Sequence, residues 1–210
     1  MDTKKTLQKY LEELSSNSPT PGGGNVAALC GVLSSSLGVM VCNLTIGKKK
    51  YLDVENEMKE LKEKLNAYSE KFILLGKNDN EAFERVMDAF KLPKDTDEQK
   101  KLRSEAIEKS TIEAATVPSE VIKSCREVIP ILEIISKKGN QNSLSDAGVA
   151  IAVISAASQG AFLNVLINYS SLTDKQKAAE LLSNAEMLSS EIEEEAKSLF
   201  TEIKATIGGN

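Results

Sequence analysis

Between residues 52 and 91 apolar positions recur in steps of four and three. Val54, Met58, Leu61, Leu65, Tyr68, Phe72 and Leu75 fall on one stripe, the spacing of a helix with one buried face. Gly76 is a tolerable interruption, Ala82, Val86 and Ala89 continue the stripe, and Pro93 in "KLPKD" ends it. Similar stripes predict helices over the amino-terminal "MDTKKTLQKYLEEL", over 97–116, and over 174–206, where Leu181, Ala185, Leu188, Ile192, Leu199 and Ile203 share a face. Another is predicted to open on Pro118 as its first helical residue and to run to "KKGN" at 137–140, kinked at Pro130.

Two stretches, Leu14 to Gly47 and Ala147 to Thr173, carry no charge at all. Each is long enough to test as a membrane span. Ser34, Ser35, Ser36 and Asn43 interrupt the first, and Ser155, Ser158, Gln159, Asn164 and Asn168 the second. The pattern therefore predicts two core helices of a soluble protein rather than spans. Small residues at Ala27, Gly31, Ser35 and Gly38 let neighbouring helices approach the first closely. No stretch alternates as a strand does between turn residues. The prediction is an all-α bundle forming one domain over residues 1–210, with no internal repeat.

Composition adds exclusions. The 210 residues contain no histidine, which removes His-based triads, His-ligated metals and imidazole bases. Acid–base chemistry then falls to carboxylates, lysines, tyrosines, cysteines or water. A net charge of −5 gives no electrostatic reason to expect nucleic acid. The three cysteines, Cys30, Cys42 and Cys125, are scattered and odd in number, so no disulfide framework is expected. Their apolar surroundings predict raised thiol pKa values and poor nucleophiles. The amino terminus lacks a signal-peptide pattern, and a cytoplasmic location is expected.

Four features carry candidate chemistry. Continuing the stripe of 65, 68, 72 and 75 by one step of four lands on Asp79. A carboxylate on a core seam is costly unless paired or protonated, and burial raises its pKa toward that of a general acid. The alternative is that "GKNDNEAF" breaks the helix and Asp79 caps its second half from solvent. The run "SPTPGGGN" places Pro21, Gly22, Gly23 and Gly24 at a helix mouth, where bare N–H groups suit an anion or a carbonyl oxygen; a plain turn is the alternative. In "GKKKY", Gly47 is a helix C-cap glycine, and Lys48, Lys49 and Lys50 either compensate the helix end or form a cationic patch for a polyanion. In "GNQNSLSDAGVA", Ser143 or Ser145 is the expected N-cap, with Asp146 in the first turn. Asn164 and Asn168, four apart, share a face and need partners.

The blocks "SPTPGGGNVAAL", "NLTIGKKKY", "NDNEAF", "LPK", "GNQNSLSDAGVA" and "GAFLNVLINYSSLTD" resemble, in order and spacing, the cyclodeaminase/cyclohydrolase family. That family comprises the helical module of formiminotransferase-cyclodeaminase and stand-alone methenyltetrahydrofolate cyclohydrolases. The resemblance covers nearly the whole chain and implies a bundle of long helices around a buried central helix, assembled as a homodimer. It implies a tetrahydrofolate derivative as substrate, polyglutamylated or not, and no metal or redox cofactor. It places a proton-donor aspartate on Asp79; Asp146, in the first turn of its helix, is the next catalytic candidate. The matching blocks carry substrate-binding residues at Pro21, Gly22, Gly23, Gly24, Asn43, Lys48, Lys49, Lys50, Tyr51, Ser145, Asn164 and Asn168. Formiminotetrahydrofolate cyclodeaminase is the leading expectation and methenyltetrahydrofolate cyclohydrolase the alternative. A non-catalytic helical scaffold is the rival of another class, distinguishable because it would gain no thermal stability from reduced folates.

Overall fold

A computed structural model describes residues 1–170, 172 and 175–209. Among these residues six α-helices follow one another: α1 Leu7–Leu14, α2 Gly23–Thr45, α3 Glu55–Phe90, α4 Asp97–Lys138, α5 Leu144–Ser170 and α6 Lys175–Gly208. No strand occurs among the described residues. Thr173 and Asp174, the predicted ends of the second uncharged stretch and of the last helix junction, lie outside them. Helices α3, α2, α5 and α6 lie side by side in that order, and α4 packs behind all four, a two-layer arrangement around one core.

The helix predicted to restart at Pro118 does not. α4 is continuous for 42 residues with Pro118 and Pro130 inside it. Each proline removes one backbone hydrogen bond, but Ala114, Ala115, Pro118, Val121, Ile122 and Cys125 bury one unbroken face across the first. Tertiary burial outweighs the local break. The start is as predicted: Thr96 accepts from the Gln99 N–H and Gln99 reaches back in a capping box. α5 begins at Leu144, so Ser143 precedes it while Ser145 lies inside its first turn.

α2 and α3 run antiparallel in a seven-residue register. A Cβ placed on Gly38 would stand 2.6 Å from Leu65 Cδ1, and one on Gly31 2.6 Å from Phe72 Cγ. Each glycine is thus a hole that receives one large side chain of α3, the knob-and-hole logic of helix seams. Stepping seven residues further along both helices pairs Gly24 with Asp79.

Both apolar helices have windows of mean hydropathy 1.8, yet only 50% of that window is buried in α2 and 39% in α5. Their inward faces form the core, and their outward faces, pointing away from α4, remain open. One core position is left unsatisfied: the fully buried Ser35 hydroxyl makes no hydrogen bond among the described residues. Ser35→Ala is therefore expected to stabilise the fold by about 1 kcal/mol in chemical denaturation, since it removes a stranded hydroxyl and raises helix propensity.

Candidate functional site

α3 passes through residue 79 without a break, so Asp79 is not a mid-chain cap. Its half-buried carboxylate lies against the first turn of α2, where a Cβ on Gly24 would stand 2.6 Å from Asp79 Cγ. The close approach that the glycine run permits is made by the protein's own acid. Burial pushes the Asp79 pKa up; a hydrogen bond from the Asn25 backbone N–H and the positive charge of the amino terminus oppose that shift without cancelling it. Asp79 therefore keeps its proton to higher pH than an ordinary carboxylate, the property of a general acid.

Asn25, which the sequence reading did not single out, holds this turn in place. Its side chain is buried; Nδ2 donates to Gly76 O at 2.6 Å and to Asn80 Oδ1 at 3.2 Å, and Oδ1 accepts from Tyr10 Oη at 3.0 Å. Every polar atom of the amide is thereby used. Burial keeps the Tyr10 phenol protonated beyond its usual range, which suits its donor role. The signal was present in the sequence as the amide that follows three glycines.

Gly23 differs from Gly24. It is exposed, and a Cβ there would meet Asn164 Nδ2 at 3.3 Å. Asn164 Nδ2 donates to Gly160 O at 2.8 Å, and Asn168 Nδ2 to Asn164 O at 2.8 Å, so both amides bond their own helix. Pro21 is buried beside Gly22, the N-cap of α2. One turn past Asp79, Phe83 and the Pro19–Thr20 segment border a groove of about 420 Å³ that also touches Met87 and Lys91.

The remaining predicted residues gather elsewhere. α2 is about 35 Å long, and at its far end Gly47 takes a positive φ of 77° just after the Ile46 C-cap. Lys48, Lys49 and Lys50 follow on the surface, none in an ion pair among the described residues, with Lys50 over the Tyr51 ring. Tyr51 Oη accepts from Gln141 N at 3.1 Å, and Asn140 binds Thr45 Oγ1 and Leu44 O. The "GKKKY" and "NSLSDAG" blocks, with Asn43, Ser145 and Asp146, thus form one cluster. Asp146 is separated from Asn164 by 18 residues of α5, about 27 Å. The structure brings Pro21–Gly24, Asp79 and Asn164 together, with Asn168 one turn further on α5. It does not bring Asp146 or the lysines to them within one chain.

Burial raises all three thiols, Cys42 to about 11, with Cys30 and Cys125 also pushed up. Among the described residues no three Cys, Asp or Glu side chains gather as a metal site would require.

The sequence profile described as formiminotransferase-cyclodeaminase matches residues 6–187. A methenyltetrahydrofolate cyclohydrolase of Methylorubrum extorquens is 40% identical over 99% of this chain and all of that protein. The formimidoyltransferase-cyclodeaminase of Rattus norvegicus is 31% identical over 85% of the chain, which spans 34% of that longer protein. The crystal structure of a formiminotetrahydrofolate cyclodeaminase from Thermotoga maritima superposes with a TM-score of 0.80 at 31% identity, covering 95% of this chain and 98% of that one. With the profile matched across most of its length and the same fold found at this identity, the chain belongs to the formiminotransferase-cyclodeaminase family.

Proposed function

We propose that the chain acts on the one-carbon unit held between nitrogens 5 and 10 of a reduced folate, with Asp79 as the proton carrier. The observation behind this reading is a carboxyl group on a helix seam, half-buried against the N-terminus of α2 and raised in pKa. In cyclodeamination, nitrogen 10 of protonated 5-formiminotetrahydrofolate attacks the formimino carbon. Asp79 gives its proton to the amino group of the tetrahedral intermediate, and the C–N bond breaks to release ammonia. The carboxylate then accepts the proton left on nitrogen 10, so protons balance and Asp79 returns to its starting state. A positioned acid of this kind contributes ~10²–10⁴-fold. The Phe83 ring, in a groove that Glu84, Asp88 and Lys91 also line, is proposed to stack against the bicyclic ring.

A second reading is favoured by the full-length likeness to the cyclohydrolase. There, water attacks the methenyl carbon, Asp79 as carboxylate takes one water proton and returns it to the departing ring nitrogen, and the remaining hydroxyl proton is released to solvent as the formyl carbonyl forms. One spectroscopic experiment separates the readings. Absorbance at the methenyl band should rise when the formimino substrate is supplied if the chain is a cyclodeaminase, and fall when the methenyl substrate is supplied if it is a cyclohydrolase. No change with either, and no thermal shift with a reduced folate, would leave a scaffold.

The surface lysines are proposed to hold the glutamate tail. Replacing Lys48 and Lys50 with Ala is expected to raise KM roughly fivefold for a polyglutamylated substrate and less for the monoglutamate, the difference shrinking at high salt. Equal effects on both substrates would assign these lysines to the helix end alone.

A further inference from the structure

We propose that Tyr10 is a positioning residue for Asp79: its hydroxyl, acting through the side chain of Asn25, fixes where the carboxyl on α3 meets the first turn of α2. This rests on the folate reading above only for its activity readout. Gly22, the N-cap of α2, has no side chain with which to accept from the first-turn N–H groups. Asp79 accepts from one of them, the Asn25 N–H, and so caps α2 from a neighbouring helix. Gly76, Asp79 and Asn80 share one face of α3. Asn25 grips that face on both sides of the acid, because Nδ2 donates to Gly76 O and to Asn80 Oδ1 while its own N–H goes to the carboxylate. The amide can serve this way only with Oδ1 turned toward α1, and there the Tyr10 hydroxyl donates to it at 3.0 Å. Asn25 is 1% exposed, so solvent has no access to take the place of the hydroxyl.

α1 is the element that brings the phenol there. None of its eight residues is fully buried, and Leu7 and Leu11 stand 70% and 51% exposed. A helix so short does not persist alone in water, and the Tyr10 bond is its specific tie to the bundle. The other titratable groups around Asp79 are few. The amino-terminal ammonium donates to Ile73 O at 2.6 Å, earlier on α3, with Lys77 and Glu81 beside it. Cys30 of α2 lies near Tyr10, and α5 presents the neutral Asn164 amide against Gly23. Burial pushes both the phenol and the thiol up, so both stay neutral while Asp79 titrates. Deleting the Tyr10 hydroxyl therefore changes no charge near the acid, and its effect on Asp79 reports position.

Tyr10→Phe keeps the ring and deletes the hydroxyl. The Asn25 amide is then free to turn, its N–H draws back from the carboxylate, and the restraint that bond places on the Asp79 pKa is released. Carbon-13 NMR reads this directly, with the Asp79 carboxyl identified by its absence in Asp79→Asn. The Asp79 titration midpoint should lie at higher pH in Tyr10→Phe than in the wild type. On whichever folate is turned over, kcat should fall about tenfold while KM changes by less than about twofold, and the pH profile should be displaced the same way. Asn25→Ala should reproduce both effects. Adding Tyr10→Phe to it should cost nothing further, because the phenol acts only through the amide. A midpoint unmoved by Tyr10→Phe, even with lowered stability, would overturn the proposal, as would losses that add in the double variant. A midpoint that moves in a protein inactive on both folates would instead refute the folate reading while leaving the positioning role standing.

Discussion

Asp79→Asn is expected to lower kcat by about 100-fold or more, leave KM nearly unchanged, and raise stability at neutral pH. Asparagine keeps the size of the side chain and can still accept from the Asn25 N–H, but it has no carboxylic proton to give. The stability arm follows from burial. The folded-state pKa of Asp79 lies above its value in the unfolded chain, so the folded protein binds the proton more tightly. The cost of the buried charge is absent below the unfolded pKa, grows through the window between the two values, and is fully present above the folded one. The melting-temperature advantage of Asp79→Asn should therefore be small in acid and increase toward neutrality. Near-normal turnover would remove Asp79 from the mechanism and leave Asp146 as the next candidate. A loss of rate accompanied by a loss of stability at neutral pH would mean the carboxylate is structural.

Gly24→Ala is expected to damage both rate and stability, whereas Gly23→Ala should be milder on both counts. A methyl group on Gly24 overlaps the carboxylate itself, 2.6 Å from Cγ, so Asp79 or the first turn of α2 has to move. Overpacking of this kind costs about 1–3 kcal/mol, and an acid displaced by an ångström loses on the order of 100-fold in rate. A methyl on Gly23 meets only the Asn164 side chain at 3.3 Å, and that amide can give way. Equal kcat values for the two variants would show that the exact position of Asp79 is unimportant. Measuring urea midpoints alongside kcat separates displacement of the acid from general unfolding.

Much of this arrangement could be read from the chain itself. The four-and-three stripe on α3 led to Asp79 directly, because 65, 72 and 79 are true neighbours along one face. The small residues Gly31 and Gly38 announced a close helix contact. What periodicity could not supply was the pairing: that Gly24, and not Gly23, faces Asp79 follows only once Gly31 is known to sit on Phe72. Pro118 misled because local propensity cannot weigh the buried face that carries α4 through it. The lysine block and Asp146 read as parts of one site with the glycine run because sequence order says nothing about which end of an antiparallel bundle a block reaches. Asn25 was overlooked for a similar reason, its partners lying on α1 and α3.

The register of α2 on α3 also fixes where the acid stands. Leu65, Phe72 and Asp79 are successive teeth of one rack seated in successive glycine notches. No loop or hinge lies between the first and the last, since α3 is unbroken from Glu55 to Phe90. A slide of α3 along α2 therefore cannot shift the carboxylate without also drawing Phe72 from its notch, which amounts to opening the core. Amide hydrogens of α3 around Asp79 should exchange with solvent at rates near those of global unfolding. An acid fixed in this way cannot be retuned by a moving segment, and any change of reaction preference within this scaffold has to come from the groups that surround the substrate.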